Sequence, residues 1–202
     1  MECIVWIDCE MTGLDLTQDT LIEIAVLVTD SELNILGDGV DLVIKPSDAA
    51  LDHMDSFVTA MHTNSGLINE LADGTTLEQA ETIAMDYIQQ FVHESGKAPL
   101  AGNTIGTDRS FLAKEMPTLE GFLNYRNIDV SSIKELARRW YPKAFFAAPE
   151  KHGNHRALGD IIDSINELRY WREAIFVPEP GPVSIEARQI AVKYEQPAAP
   201  QA

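Results

Sequence analysis

A chain of 202 residues, 45% hydrophobic and 23% charged, has the length and composition of one sizeable α/β domain with its own core. Its net charge of −17, from 32 acids against 15 bases, argues against a protein that grips long nucleic acid through phosphate contacts, which depend on Lys and Arg displacing counterions. A short anionic substrate stays within reach if bound cations and a few placed bases supply the positive charge.

The first element is an almost uninterrupted apolar run, C-I-V-W-I-D-C-E-M-T-G-L from Cys3 to Leu14, which predicts a strand buried on both faces. It ends in Asp8 and Glu10. Residues two apart on a strand project together, so these carboxylates share a face at the strand's lip and repel each other unless a cation sits between them. Oxygen-only ligands suit Mg²⁺ or Mn²⁺ better than zinc, which prefers His and Cys. The competing reading is a strand end that emerges into solvent. Cys3 and Cys9 lie about 20 Å apart along extended chain, beyond the roughly 7 Å reach of a disulfide, and are expected as free thiols. No basic segment followed by an apolar core opens the chain, and no apolar run nears the ~20 residues that span a bilayer, so a soluble protein of a reducing cytoplasm is expected.

Leu21 to Thr29 and Ile35 to Ile44 read as two further strands, and the short connections suggest an antiparallel meander. Glu23, an acid inside the run L-I-E-I-A-V-L-V, reads as a buried carboxylate paired to a base, the alternative being a group supporting Asp8. Residues 51 to 72 break into short helices. The clearest helix starts at Thr76, spaced with Gln79 as a capping box, and is expected to stop at Gly96. Pro99 to Ala101 is a short strand, followed by a helix from about Thr107 to Met116; Tyr125 to Val130 is another strand, before a helix capped by Ser132 and Glu135. Residues 142 to 154 are irregular, and a long helix runs from about Arg156 to Ala174. A meander followed by β-α-β-α is the pattern of a mixed sheet with helices on its faces. Five of the ten prolines fall in the last 27 residues, and the tail beyond Phe176 is expected to be extended or disordered.

Two more acids bear on the opening pair. Asp108 follows the loop N-T-I-G-T at a helix start, where an acid is ordinary because the N-terminal amides favour it. In H-R-A-L-G-D, His155 and Asp160 stand about 140° apart on a continuous helix, so they converge only if His155 lies in the loop before it. His152 shares that loop, and pattern alone does not choose between the two.

D-x-E on the first strand, an Asp in a central G-N-x-x-x-x-D and a closing H-x-x-x-x-D form an ordered set that resembles the DEDDh exonuclease superfamily. The stretches W-I-D-C-E-M-T-G-L, A-M-H-T-N-S-G-L, A-G-N-T-I-G-T-D-R-S-F-L, D-V-S-S-I-K-E-L-A-R-R-W and H-R-A-L-G-D-I-I-D-S-I-N-E-L-R-Y-W-R are similar to the oligoribonuclease family from about residue 2 to 176. The division is then an exonuclease domain over 1–176 and a tail over 177–202.

The resemblance implies a ribonuclease H-like fold: a mixed sheet with three antiparallel and two parallel strands, flanked by helices. It implies that Asp8, Glu10, Asp108 and Asp160 hold two divalent cations, Mg²⁺ or Mn²⁺, and that His155, not His152, is the general base. The implied activity is 3′-to-5′ removal of nucleotides from very short RNA, dinucleotides above all, by a homodimer. The resemblance further implies that Leu14 wedges between two bases. Thr104, Arg126 and Ser131 would close on the 5′-phosphate, with Tyr125 and His62 completing the pocket partly across the dimer interface. Thr104 stands where the family usually has Ser, and keeps the hydroxyl. A blocked 5′ end excludes long strands and accounts for the acidic composition. The competing readings are a DNA exonuclease of the same chemistry, and a non-catalytic nucleotide-binding protein on this fold.

Overall fold

The computed structural model describes residues 2–150 and 156–195. Five strands, β1 (Cys3–Met11), β2 (Leu21–Asp30), β3 (Ile35–Val43), β4 (Pro99–Gly102) and β5 (Asn124–Asp129), form one sheet in the order β3-β2-β1-β4-β5. β1 pairs antiparallel with β2 and β2 with β3, while β4 and β5 add parallel to β1. This is the expected mixed sheet, with the first strand at its centre. Cys3 and Cys9 are both buried and unbridged.

The alternation of side chains along β1 divides the core. Cys3, Val5, Ile7 and Cys9 pack on one face against α3 (Leu77–Gln89), α4 (Gly106–Glu115) and α5 (Pro117–Phe122). Trp6 turns to the other face, where Ala25, Leu27 and Ala101 meet α6 (Val130–Trp140) and α8 (Ala157–Ala174). Its indole N–H is satisfied by the Thr29 hydroxyl at 3.0 Å. Asp8 and Glu10 share the parity of Trp6, so they project toward α8. Between β3 and α3 lie α1 (Asp48–His53), α2 (Ser56–Ser65) and two single 3₁₀ turns, Leu67–Asn69 and Leu71–Asp73.

Several boundaries differ from the sequence expectation. The capping box of Thr76 and Gln79 is present, but α3 stops at Gln89. Gly96, with φ of +76°, serves a later turn whose N–H donates to the Phe122 carbonyl. The cap of α6 is Asp129, which accepts from Ser131 N–H, rather than Ser132. A five-residue helix, α7 (Pro142–Phe146), interrupts the segment expected to be irregular. The tail carries α9 (Ser184–Val192), which has no buried residue.

The helix α5 was not expected, and it lacks a cap of its own. Glu81 of α3 supplies one, accepting from Thr118 N–H at 2.8 Å and Leu119 N–H at 3.0 Å. Glu81→Ala is therefore expected to destabilise the fold by about 1 kcal/mol, lowering the melting temperature by roughly 2–4 °C, with catalytic rates per folded molecule unchanged. Thermal unfolding of the two proteins checks this.

Candidate active site

Three acids meet where β1 leaves the sheet. Asp8 and Glu10 come from β1 and Asp160 from the first turn of α8, and one oxygen of each lies within 4.8 Å of the others. Asp108, in the first turn of α4, is buried, and its Oδ1 accepts the Cys9 N–H at 3.0 Å. It thus touches β1 between the two strand acids, Asp8 and Glu10, but stands outside the three-oxygen group. Cys9 itself faces the opposite core.

Charge at this point is strongly disfavoured. Burial, then repulsion from Asp108, Asp160, Glu10 and Glu23, holds the Asp8 carboxyl well above its usual range. Glu10 is pushed to about 8 by burial and by Glu23, Asp160 and Asp108, against a smaller pull from Arg156. Burial lifts Asp108 to about 7, although the Cys9 N–H partly offsets it. Such a cluster is unfavourable when ionised and alone, and the attraction of a divalent cation held among the oxygens outweighs their mutual repulsion. The donor set is all oxygen, which fits a hard cation.

Glu23 is the paired acid the sequence suggested. Fully buried, it accepts Arg156 Nε at 2.7 Å and the Ala157 N–H at 3.1 Å. The rest of the Arg156 fork donates to both oxygens of Glu70, at 2.9 and 3.0 Å. The sequence showed Glu23 as an acid in an apolar run, but gave no sign of which base would meet it.

The residues assigned to substrate fall into separate groups. His62 is buried on α2; its Nε2 donates to the Met11 carbonyl at 2.9 Å, and Nδ1 stands 4.0 Å from Glu10 Oε2. Leu14, just past β1, is 76% exposed. Thr104 and Ser131 meet beyond the ends of β4 and β5: the Thr104 N–H donates to Ser131 Oγ and to Asp129 Oδ1, both at 3.2 Å. The Ser131 hydroxyl donates to the same Asp129 oxygen at 2.6 Å. Asp129, unflagged in the sequence, is the hub of this corner. Thr104 has φ of +56°, a left-handed conformation held by those bonds. Tyr125 and Arg126 lie earlier on β5, with the guanidinium 4.6 Å from the exposed ring. Arg126 there borders a cleft of about 1110 Å³ with Cys3, Phe91 and Lys97. His152 and His155 lie outside the described residues.

Over 196 residues the chain is 64% identical to the oligoribonuclease of Streptomyces griseus, a match that covers 97% of this chain and 98% of that protein. The chain belongs to the oligoribonuclease family. The oligoribonuclease of Mycobacterium tuberculosis is 56% identical over 199 residues, 98% of this chain and 93% of that protein, and the exonuclease family model matches residues 5–168. These oligoribonuclease alignments extend past residue 176, so the tail falls within the family likeness and not outside it. Among solved structures, Escherichia coli exonuclease I in complex with a dA16 oligonucleotide superimposes with a TM-score of 0.67 at 15% identity. The match covers 85% of this chain and 41% of exonuclease I, and supports the ribonuclease H-like fold alone. Among the described residues no helix is long and apolar enough to cross a membrane.

Proposed function

We propose that the protein is a two-metal-dependent 3′-to-5′ exoribonuclease that hydrolyses very short RNA, dinucleotides above all, to 5′-nucleoside monophosphates. The observation that carries this reading is the convergence of Asp8, Glu10 and Asp160 within 4.8 Å, on a face where burial disfavours the charge of Asp8 and Glu10. Asp8, Glu10, Asp108 and Asp160 would hold two Mg²⁺ or Mn²⁺ ions. When bound, such ions lower the pKa of water and neutralise charge on the leaving oxygen. His155 takes the proton of the attacking water, a task for which imidazole, titrating near pH 6.5, is suited. The relatives named oligoribonuclease support the substrate class.

Length is selected at the 5′ end. The hydroxyls of Thr104 and Ser131 and the bidentate fork of Arg126 bind the terminal phosphate, with Tyr125 and His62 helping to complete the pocket, at least partly across the interface of a homodimer. Leu14 has the exposure needed to insert between two bases. A protein carrying −17 has little affinity for long strands, so a closed end and few bases suffice.

The test is digestion of a length series, 5′-phosphorylated RNA of two to twenty nucleotides with matched DNA, in Mg²⁺ or Mn²⁺ and in chelator. The RNA dinucleotide is expected to be cleaved at least ~10-fold faster than the 20-mer, a discrimination of about 1.4 kcal/mol, with no turnover in chelator. Equal rates per end on both lengths would sink the length reading, and a preference for long DNA would replace the substrate.

A further inference from the structure

We infer that Arg156, clamped between Glu23 and Glu70, is a positioning residue that fixes where α8 begins on the sheet and so carries Asp160 to Asp8 and Glu10. The inference rests on the proposed cation site and names what builds it. Among the described residues the helix α8 has no side-chain cap from its own sequence: Arg156, at its N-cap, is extended with φ −128° and ψ 125°. Its first amide, that of Ala157, is capped instead by Glu23, 134 residues away. Glu23 is the β2 residue directly opposite Glu10 in the β1–β2 ladder, so the start of α8 is measured from the acid cluster itself. Asp160 hangs from the same point, because its N–H donates to the Arg156 carbonyl at 3.1 Å.

The guanidinium makes three bonds to two carboxylates, one of them fully buried, a geometry that a single ammonium cannot reproduce. Its charge is needed by the buried Glu23 carboxylate, but charge does not explain what it does for a neighbouring cation site. Its field reaches Glu10 and favours the ionised carboxylate, but a fixed cation beside a cation site also opposes the binding of a second one. Position is what it contributes.

Mn²⁺ binding to the full chain is measured by calorimetry without substrate, for the wild type, Arg156→Gln and Arg156→Lys. If the residue acted only by charge, Arg156→Lys would bind Mn²⁺ as the wild type does, and only Arg156→Gln would differ. Positioning predicts that it binds at least ~10-fold more weakly, the usual loss when a group that orients metal ligands is removed. Arg156→Lys keeps the charge and should still lose about threefold; it decides the matter if the Gln variant does not fold in chelator. Wild-type or tighter binding by the folded variants overturns the inference. Asp8→Asn in the same titration separates the two failures. If it leaves Mn²⁺ binding intact, the acid cluster is not the cation site; if it abolishes binding while both Arg156 variants bind normally, the clamp alone is wrong.

Discussion

Asp8→Asn is expected to lower turnover of a 5′-phosphorylated dinucleotide by about 10⁴-fold, the loss of several kcal/mol of transition-state stabilisation, and at the same time to make the chelated protein more heat-stable. The two effects share one cause. Asp8 is buried among Asp108, Asp160, Glu10 and Glu23, and its charge is repelled by all of them. The wild type in chelator should show this in its pH dependence. Glu10 rises from 4.5 to about 8 on folding and Asp108 from 3.8 to about 7, so across that window the folded chain holds protons that the unfolded chain has released. Stability then falls as pH rises from about 5 to about 8 and is fully retained only below the unfolded pKa values. Asn has no charge to repel. At pH 8 in chelator the variant should melt at a higher temperature than the wild type, because the burial and repulsion that raise the Asp8 carboxyl are removed. Added Mn²⁺ should flatten the pH slope of the wild type and do much less for the variant. Calorimetric melts with and without Mn²⁺, beside initial rates, measure both effects. An active variant, or one that melts earlier in chelator, contradicts the reading of the cluster.

What could be read from the sequence follows from how local its causes are. The opening strand is legible because a long apolar run needs burial on both faces, and Asp8 and Glu10 declare themselves by being charged inside it. The capping box at Thr76 is legible because both partners lie within one turn. The end of the same helix is not: Gly96 looks like its stop, yet the chain turns away seven residues earlier, and Gly96 bonds instead to Phe122 in a different element. α5 is missed for a related reason, and the start of α8, read correctly at about Arg156, hides its cap for the same one. Their caps are Glu81 and Glu23, about 37 and 134 residues distant, and no short-range spacing reveals a partner so far along the chain. At the site the same division holds. The identities of the acids were readable, and periodicity put Asp160 only at the edge of the stripe of α8. Its approach to Asp8 depends on the bonds that anchor the helix's first turn. The Thr104–Asp129–Ser131 corner joins the ends of two parallel strands, a proximity that exists only once β4 and β5 pair.

His155→Gln is expected to lower kcat by about 10³-fold, within the range that a positioned general base contributes, with KM for the dinucleotide changed less than about twofold, because the groups proposed to hold the substrate are Leu14, Thr104, Arg126 and Ser131. The amide of Gln keeps much of the side chain's reach and hydrogen bonding, but cannot take a proton at neutral pH. The profile of kcat/KM against pH should therefore lose an acidic limb near pH 6.5, the range in which an imidazole base becomes protonated and idle. That change distinguishes a lost base from a merely disturbed fold, which would lower rates at every pH alike. His152, three residues earlier, provides the control that the motif alone cannot. If H-x-x-x-x-D assigns the base correctly, His152→Gln keeps kcat within about twofold of the wild type and keeps the acidic limb. If the limb disappears with His152 and survives without His155, the base is the other imidazole, and proton transfer is tied to a residue eight positions before Asp160 instead of five.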